Sequence, residues 1–89
     1  MARIEIGNSE DGAPGEANAS EDAFFQLGMM YSTGSSVPAD YVAAHKWFNL
    51  AAMRGNAEAI RLRREIADQM SEDEIAAAQR AARAWLKAH

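Results

Sequence analysis

Two stretches of this chain, joined by a short segment rich in Gly, Ser and Pro, place apolar residues at the spacing of an α-helix. In the first stretch, Phe24, Leu27 and Tyr31 recur at i, i+3 and i+7, so they share one helical face. The second stretch carries the same type of stripe, formed by Tyr41, Ala44, Phe48, Ala51 and Ala52. This spacing predicts two amphipathic helices that bury their stripes, and it disfavours strands, which need strict alternation.

Residues that start and stop helices border both stretches. Ser20 predicts the start of the first helix as its N-cap, and Gly34 predicts its end as a residue in the left-handed conformation. Asp40 predicts the N-cap of the second helix, and Gly55 predicts its end. Asn56 then caps a third helix directly after the second. The two stretches are therefore expected to be separate helices with a short connection.

One glycine, Gly28, lies in the middle of the first predicted helix. Glycine costs roughly 1 kcal/mol relative to alanine in a helix interior. A close crossing by a second helix, which a residue without a side chain permits, would compensate for this cost. Gly28 therefore predicts the point where the first helix approaches its neighbour.

The rest of the chain predicts two more helices. The buried face of the third helix is expected to consist of Ala59, Leu62, Ile66 and Met70, with Ile60 and Ala67 at its edges. Ser71 and Glu74 have the spacing of a capping box and predict the start of a fourth helix. Its apolar face is expected to consist of Ile75, Ala78, Ala82, Trp85 and Leu86. The chain is therefore predicted to be all-α, with about four helices in antiparallel order.

The two stretches and their turn also carry a repeat signature. It consists of Leu27-Gly28, Tyr31, Gly34, Val37-Pro38, Asp40-Tyr41, Ala44, Trp47-Phe48, Ala51-Ala52 and Gly55-Asn56-Ala57. This set resembles one unit of the Sel-one-like repeat family, whose helix–turn–helix modules are related in architecture to tetratricopeptide repeats. One departure is Ser36, which stands where the family's turn often carries a second glycine. The resemblance implies an antiparallel helix–turn–helix α-solenoid fragment.

The signature does not continue into the second half of the chain. Ala23 at the start of the unit and Ala59 at the start of the following one are 36 positions apart. This distance is close to the roughly 34-residue period of tetratricopeptide repeats. A further step of the same length leads from Leu27 to Arg63, so the pattern is lost. We expect residues 20–55 to form the repeat and residues 56–89 to form a capping helix pair. Its outer face is expected to be polar, through Arg61, Arg63, Arg64, Glu65 and Asp68.

The resemblance implies that the chain is not an enzyme and that it binds a protein or peptide as an interaction module or scaffold. It also implies a concave face, formed mainly by the first helix of the repeat, that receives a peptide or a helix. On this sequence the residues of that face are Phe25, Gln26, Met29 and Ser32.

Two other classes of function stay open from the residues. One repeat buries little core by itself, so the open end of the solenoid is expected to pair with something. We expect the first helix to expose Phe24, Phe25 and Met29 for association, because two adjacent phenylalanines should not both face one core. A homo-oligomer without a separate client is one alternative. A small ligand-binding or enzymatic bundle is the other, and an enclosed polar pocket around His45 would favour it.

Acidic residues are concentrated at the start of the chain. Residues 1–22 hold six acidic residues and one basic residue, whereas residues 23–89 hold seven acidic and eight basic residues. We expect residues 1–19 to form a flexible acidic leader and residues 20–89 to form a single helical domain. The net charge of −4 argues against nucleic acid or an anionic membrane as a partner. Neither a signal-peptide pattern nor a bilayer-spanning apolar run is present, which predicts a cytoplasmic location.

Residue types used in catalysis and metal binding are sparse. His45 and His89 are the only histidines, and neither His-x-x-x-His nor Glu-x-x-His spacing occurs. Because the chain also lacks cysteine, we expect no metal, no cofactor and no catalytic residue. His45 is expected to be a partly exposed helix residue.

Several arginines are expected to lie on a solvated face, because Arg61 has helical pair spacing to Glu58 and Glu65. The alternative is a basic patch that accepts an acidic peptide, such as the acidic leader of this chain. The residues of that patch would be Arg54, Arg61, Arg64, Arg80 and Arg83.

Overall fold

A computed structural model describes the backbone of residues 13–89 and the side chains of residues 21–89. Four helices follow one another: α1 (Ala13–Thr33), α2 (Tyr41–Met53), α3 (Ala57–Ala67) and α4 (Glu72–Ala88). No strand occurs in this part of the chain. The prediction of an all-α fold with four helices is confirmed.

Side-chain caps start the last three helices where the sequence predicts them. The Ala43 amide donates to Asp40 Oδ1 at 3.1 Å, and the Ala59 amide donates to Asn56 Oδ1 at 2.8 Å. At the start of α4, Ser71 and Glu74 each accept a hydrogen bond from the other's amide. These local hydrogen bonds satisfy amides that have no partner within their own helix.

Helix α1 begins earlier than the sequence predicts. It starts at Ala13, so Ser20 lies inside the helix and the predicted N-cap there is wrong. Pro14 is compatible with this start, because the amide that proline lacks would have no partner in the first turn of a helix. Residues 1–12, which hold the rest of the predicted leader, lie outside the described residues.

Residues with positive φ end the first two helices. Gly34, at φ 77°, follows α1, and its amide donates to the Met30 carbonyl at 2.8 Å. Gly55, at φ 102°, follows α2 in a Schellman motif, in which the Asn56 amide donates to the Ala51 carbonyl at 3.1 Å. Both predicted stops are confirmed.

Helix α2 lies at the centre of the fold and packs against α1, α3 and α4, whereas these three helices contact one another little within the described residues. The Asp40 amide donates to the Tyr31 carbonyl at 2.9 Å, which holds the start of α2 beside the end of α1. The two helices are therefore antiparallel. Buried residues of all four helices form the core: Phe24, Ala44, Phe48, Leu50, Ala51, Ala59, Ile66 and Ala82.

Helices α1 and α2 approach each other closely at Gly28. A Cβ placed on this glycine would lie 2.5 Å from two ring carbons of Phe48, well inside van der Waals contact. Phe48 itself is 1% exposed. The predicted close crossing at Gly28 is therefore confirmed, and it explains a glycine within a helix interior.

Three aromatic rings join α1, α2 and α4. The ring centroid of Phe24 lies 5.7 Å from Trp47 and 5.0 Å from Trp85, and the two tryptophans are 6.1 Å apart. We call these three residues the aromatic cluster. Edge-to-face and offset pairs at such distances stabilise a core beyond the area that they bury. The cluster fixes α4 against the α1–α2 hairpin.

The expectation that α1 exposes Phe24 for association is wrong. Phe24 is only 6% exposed, and Phe25 also packs on the core, with its ring 5.8 Å from that of Phe48. Adjacent helical residues point about 100° apart. Phe24 therefore reaches Trp47 and Trp85, toward α4, while Phe25 points away from these rings and packs beside Phe48. Leu86, expected on the apolar face of α4, is 37% exposed instead.

Candidate partner-binding groove

Helices α1 and α3 both pack on α2, and their backbones approach each other at few points within the described residues, so the two helices flank one side of α2. Around α2, Phe48 faces α1 at Gly28, and Asn49 faces α3, since its Oδ1 accepts a hydrogen bond from Arg63. His45 precedes these two residues by three and four positions, which places it between the two directions. His45 and Asn49 thus form the floor of what we call the α1–α3 groove.

The α1 wall of the groove carries three of the four residues predicted to bind a partner. Phe25, Met29 and Ser32 follow one another at four- and three-residue spacing and are all partly buried. Gln26, the fourth, is exposed and lies further from the floor, at the rim. The fold therefore brings Phe25, Met29 and Ser32 together beside the groove, and their role in binding stays a prediction.

Two hydroxyl groups on this wall are used within α1. Ser32 Oγ donates to the Met29 carbonyl at 3.1 Å, and Thr33 Oγ1 donates to the same carbonyl at 2.8 Å. Side chains of Ser and Thr commonly bond to their own helix in this way. The Ser32 hydroxyl oxygen could therefore only accept a hydrogen bond from a partner. Apolar contact with a partner would come from Phe25 and Met29.

The floor contains a buried histidine, which corrects the expectation of a partly exposed one. His45 is 4% exposed, and its Nδ1 atom has no hydrogen-bond partner among the described residues. Burial, together with the positive charge of Arg63, holds the pKa of His45 below its ordinary value. Spacing could have revealed this burial, because His45 lies four residues after Tyr41 and three before Phe48.

The α3 wall carries a partly buried arginine. Arg63 Nη1 donates to Asn49 Oδ1 at 2.6 Å, so Arg63 points toward α2 and its predicted place on the outer polar face is wrong. Arg63 follows the fully buried Ala59 by one helical turn, which places it beside the buried stripe. Ile60, also partly buried, lies on the same side of α3. Within the described part of the chain, no carboxylate forms an ion pair with Arg63.

The other arginines do not share one environment. Arg61 forms ion pairs with Glu58 and, at 2.5 Å, with Glu65, as the helical spacing predicts. Its hydrogen bond with Glu58 holds the pKa of that carboxyl below the ordinary value. The guanidinium of Arg54 lies over the ring of Phe24, 5.9 Å from its centroid.

Two shallow cavities lie away from the groove. One, of about 240 Å³, is lined on α4 by Arg80, Arg83, Ala84 and Lys87. The other, of about 390 Å³, is lined near the starts of α2 and α4 by Ala39, Asp40, Tyr41, Val42 and Glu74. The carboxylates in the second cavity already serve as helix caps. Neither cavity includes His45, so neither is the enclosed pocket that would favour a ligand-binding or enzymatic bundle.

Searches for two further kinds of site were negative over the described residues. No group of three or more His, Cys, Asp or Glu residues there could hold a metal ion. No helix there is both long and apolar enough to cross a membrane.

Comparison with known proteins points to one repeat. No curated protein and no solved structure matches the chain. The family model of the Sel1 repeat matches residues 22–56, which cover the packed part of α1, the turn, α2 and the cap of α3. Sel1 repeats are helical hairpins that generally act as non-enzymatic protein-interaction modules. The α1–α2 hairpin of this chain is therefore a Sel1 repeat, as its fold and its signature residues both indicate.

Proposed function

We propose that this chain is an interaction module that binds a peptide or helix of another protein in the α1–α3 groove. The observation that carries the proposal is the partial burial of Phe25 and Met29 beside a groove whose two walls approach each other at few points along their described backbones. An apolar side chain from a partner would complete the burial of both residues. Each Å² of apolar surface removed from water contributes roughly 25 cal/mol.

The groove also has the composition of a recognition surface. Two apolar side chains on one wall lie beside the partly buried Asn49 of the floor and a wall with one cation, Arg63. Apolar contacts supply affinity in such sites, and a few convergent polar groups set orientation and register. The exposed Gln26 at the rim adds a polar contact that requires no desolvation of the core.

The test uses a matched pair of substitutions, Met29→Lys and Met53→Lys. Met29 lies on the groove wall, whereas Met53 is 59% exposed at the end of α2. Peptides selected from a random display library against the intact chain serve as the probe. We expect Met29→Lys to weaken their binding at least about tenfold, equivalent to about 1.4 kcal/mol, and Met53→Lys to leave it unchanged.

Circular dichroism of both variants provides the control for folding. If Met29→Lys loses helix content, Gln26→Lys at the exposed rim replaces it, because that side chain contributes nothing to the core. Equal binding by the Met29 and Met53 variants would contradict the proposal, since the partner would then dock elsewhere.

Self-association is the second candidate function, and one observation favours it. Met53 and Leu86 are the large hydrophobic side chains that stand out as exposed among the described residues, at 59% and 37%. Light scattering across a range of concentrations would show a dimer if these side chains form an interface. Met53→Lys should then return the chain to a monomer.

A further inference from the structure

Among the described residues, no carboxylate neutralises the polar cluster on the groove. Arg63 is partly buried, yet its described hydrogen-bond partner is the neutral oxygen of Asn49, and it forms no ion pair with a described carboxylate. Arg61, only two positions earlier, is exposed and contacts two carboxylates. A charged group that loses part of its water without gaining a counter-ion is costly. The exposed Arg61, which water could solvate, thus has two carboxylate partners. The partly buried Arg63, which water reaches less, has none among the described residues.

A second group in the same cluster is also incompletely satisfied. Nδ1 of the buried His45 has no hydrogen-bond partner among the described residues, and the side chain lies one turn from Asn49 on α2. Buried polar atoms without a partner are uncommon in folded proteins and call for an explanation. Within the described part of the chain, the floor and the α3 wall therefore have neither an anion nor a full set of hydrogen bonds.

We infer that the segment bound in the α1–α3 groove carries an Asp or Glu side chain that pairs with Arg63, next to an apolar side chain that packs on Phe25 and Met29. The inference rests on the proposed function and specifies the chemistry of its partner, a peptide segment of another protein. A guanidinium has five N–H donors, and the bond to Asn49 uses one of them. The remaining donors can hold a carboxylate through two parallel hydrogen bonds.

The basic cavity on α4 is a weaker candidate for the same ligand. Its cations, Arg80, Arg83 and Lys87, come from one helix, and Arg80 and Arg83 are exposed. Exposed pairs typically contribute at most about 1 kcal/mol and are screened by salt. Ala84 is the one apolar residue that lines this cavity. The cavity on α4 therefore offers charge without the apolar contact that would fix a peptide in one register.

The experiment selects random peptides against the intact chain and against Arg63→Met, Arg63→Lys and Arg83→Met. We expect peptides selected by the unaltered chain to be enriched in Asp or Glu adjacent to an apolar residue. Arg63→Met should lose this enrichment, Arg63→Lys should retain part of it, and Arg83→Met should retain all of it. Thermal unfolding of each variant shows whether the fold is intact.

A second arm leaves the protein unchanged, so it does not depend on the folding of any variant. In one selected peptide the acidic residue is replaced by Gln or Asn, and the dissociation constant is measured at two salt concentrations. We expect at least a tenfold loss of affinity and a weaker dependence on salt.

Enrichment without acidic residues, or acidic enrichment that Arg83→Met abolishes and Arg63→Met does not, would overturn the inference. In the first case, peptides that still require Met29 would leave the proposed function standing. Peptides that bind the Met29→Lys and Met53→Lys variants equally would instead contradict the proposed function itself.

Discussion

The two sides of α2 carry different kinds of side chain. On the side toward α4, the aromatic cluster packs three rings at centroid distances of 5.0 to 6.1 Å. On the side toward α3, Phe25 and Met29 are partly buried, and the floor holds a histidine without a hydrogen-bond partner among the described residues. Trp47 and Trp85 are partly buried as well, so the difference lies in the ring-to-ring packing of the first side and the polar groups of the second. Phe24 contributes its ring to the first side, and Phe25, its neighbour in the sequence, contributes its ring to the second.

The largest effect should come from truncation on the α4 side. Phe24→Ala is expected to cost about 3–5 kcal/mol, because it removes a buried ring that contacts both tryptophans. Phe25→Ala should cost about half of that, because its ring is only partly buried. Urea unfolding followed by circular dichroism measures both. Equal losses would show that the two sides of α2 contribute alike to stability.

The crossing at Gly28 should give the next largest effect. Gly28→Ala places a methyl group against the ring of Phe48, and such overpacking typically costs about 1–3 kcal/mol. The helix preference of alanine offsets about 1 kcal/mol of this. We expect a net loss of up to about 2 kcal/mol in the free energy of unfolding. Gln26→Ala, at an exposed site of the same helix, is the control. A gain in stability for Gly28→Ala would mean that the helices can separate without cost.

The buried histidine on the α3 side should make stability depend on pH. The pKa of His45 lies below its ordinary value of 6.5 in the folded state, so the unfolded chain binds the proton more tightly. Its contribution to stability is therefore complete above pH 6.5 and decreases as the pH falls from 6.5 toward the lower, folded pKa. His45→Leu should remove this slope. An unchanged slope in His45→Leu would assign the effect to other groups.

The smallest effect is expected in the turn between α1 and α2, which belongs to neither side of α2. Ser36 has φ 70°, in the left-handed region that costs a non-glycine residue roughly 1–2 kcal/mol. Ser36→Gly removes this cost but gives the unfolded chain more freedom. The expected net gain is about 0.5 kcal/mol, measured as a small rise in melting temperature. Ser35→Gly, at a neighbouring turn position without positive φ, should not stabilise the protein.

Local signals predict the framework of this fold well. The caps at Asp40, Asn56 and Ser71 follow from hydrogen bonds that span three residues, so no tertiary information is needed. Gly28 predicts a helix crossing because a helix interior rarely retains glycine without a packing reason. The start of α1 at Ala13 is harder to predict, because Pro14 permits a helix start without requiring one.

The chemistry of the groove depends on which side of α2 the third helix occupies. From the sequence alone, Arg63 is indistinguishable from the exposed arginines near it. Its hydrogen bond to Asn49 crosses between helices and turns it toward the floor. The same placement covers His45, whose spacing to Phe48 was present in the sequence. Patterns within a helix therefore indicate which residues are buried, but the contacts between helices decide which polar groups are buried with them.

The contact at Gly28 also has a mechanical consequence. Because the backbone of α1 lies directly against the ring of Phe48 at this residue, a tilt of α1 would pivot there. Phe25 lies on one side of it and Ser32 on the other. A small tilt of α1 would therefore narrow the groove at one end while widening it at the other. The missing side chain of one glycine would let the same groove accept ligands of different thickness at its two ends.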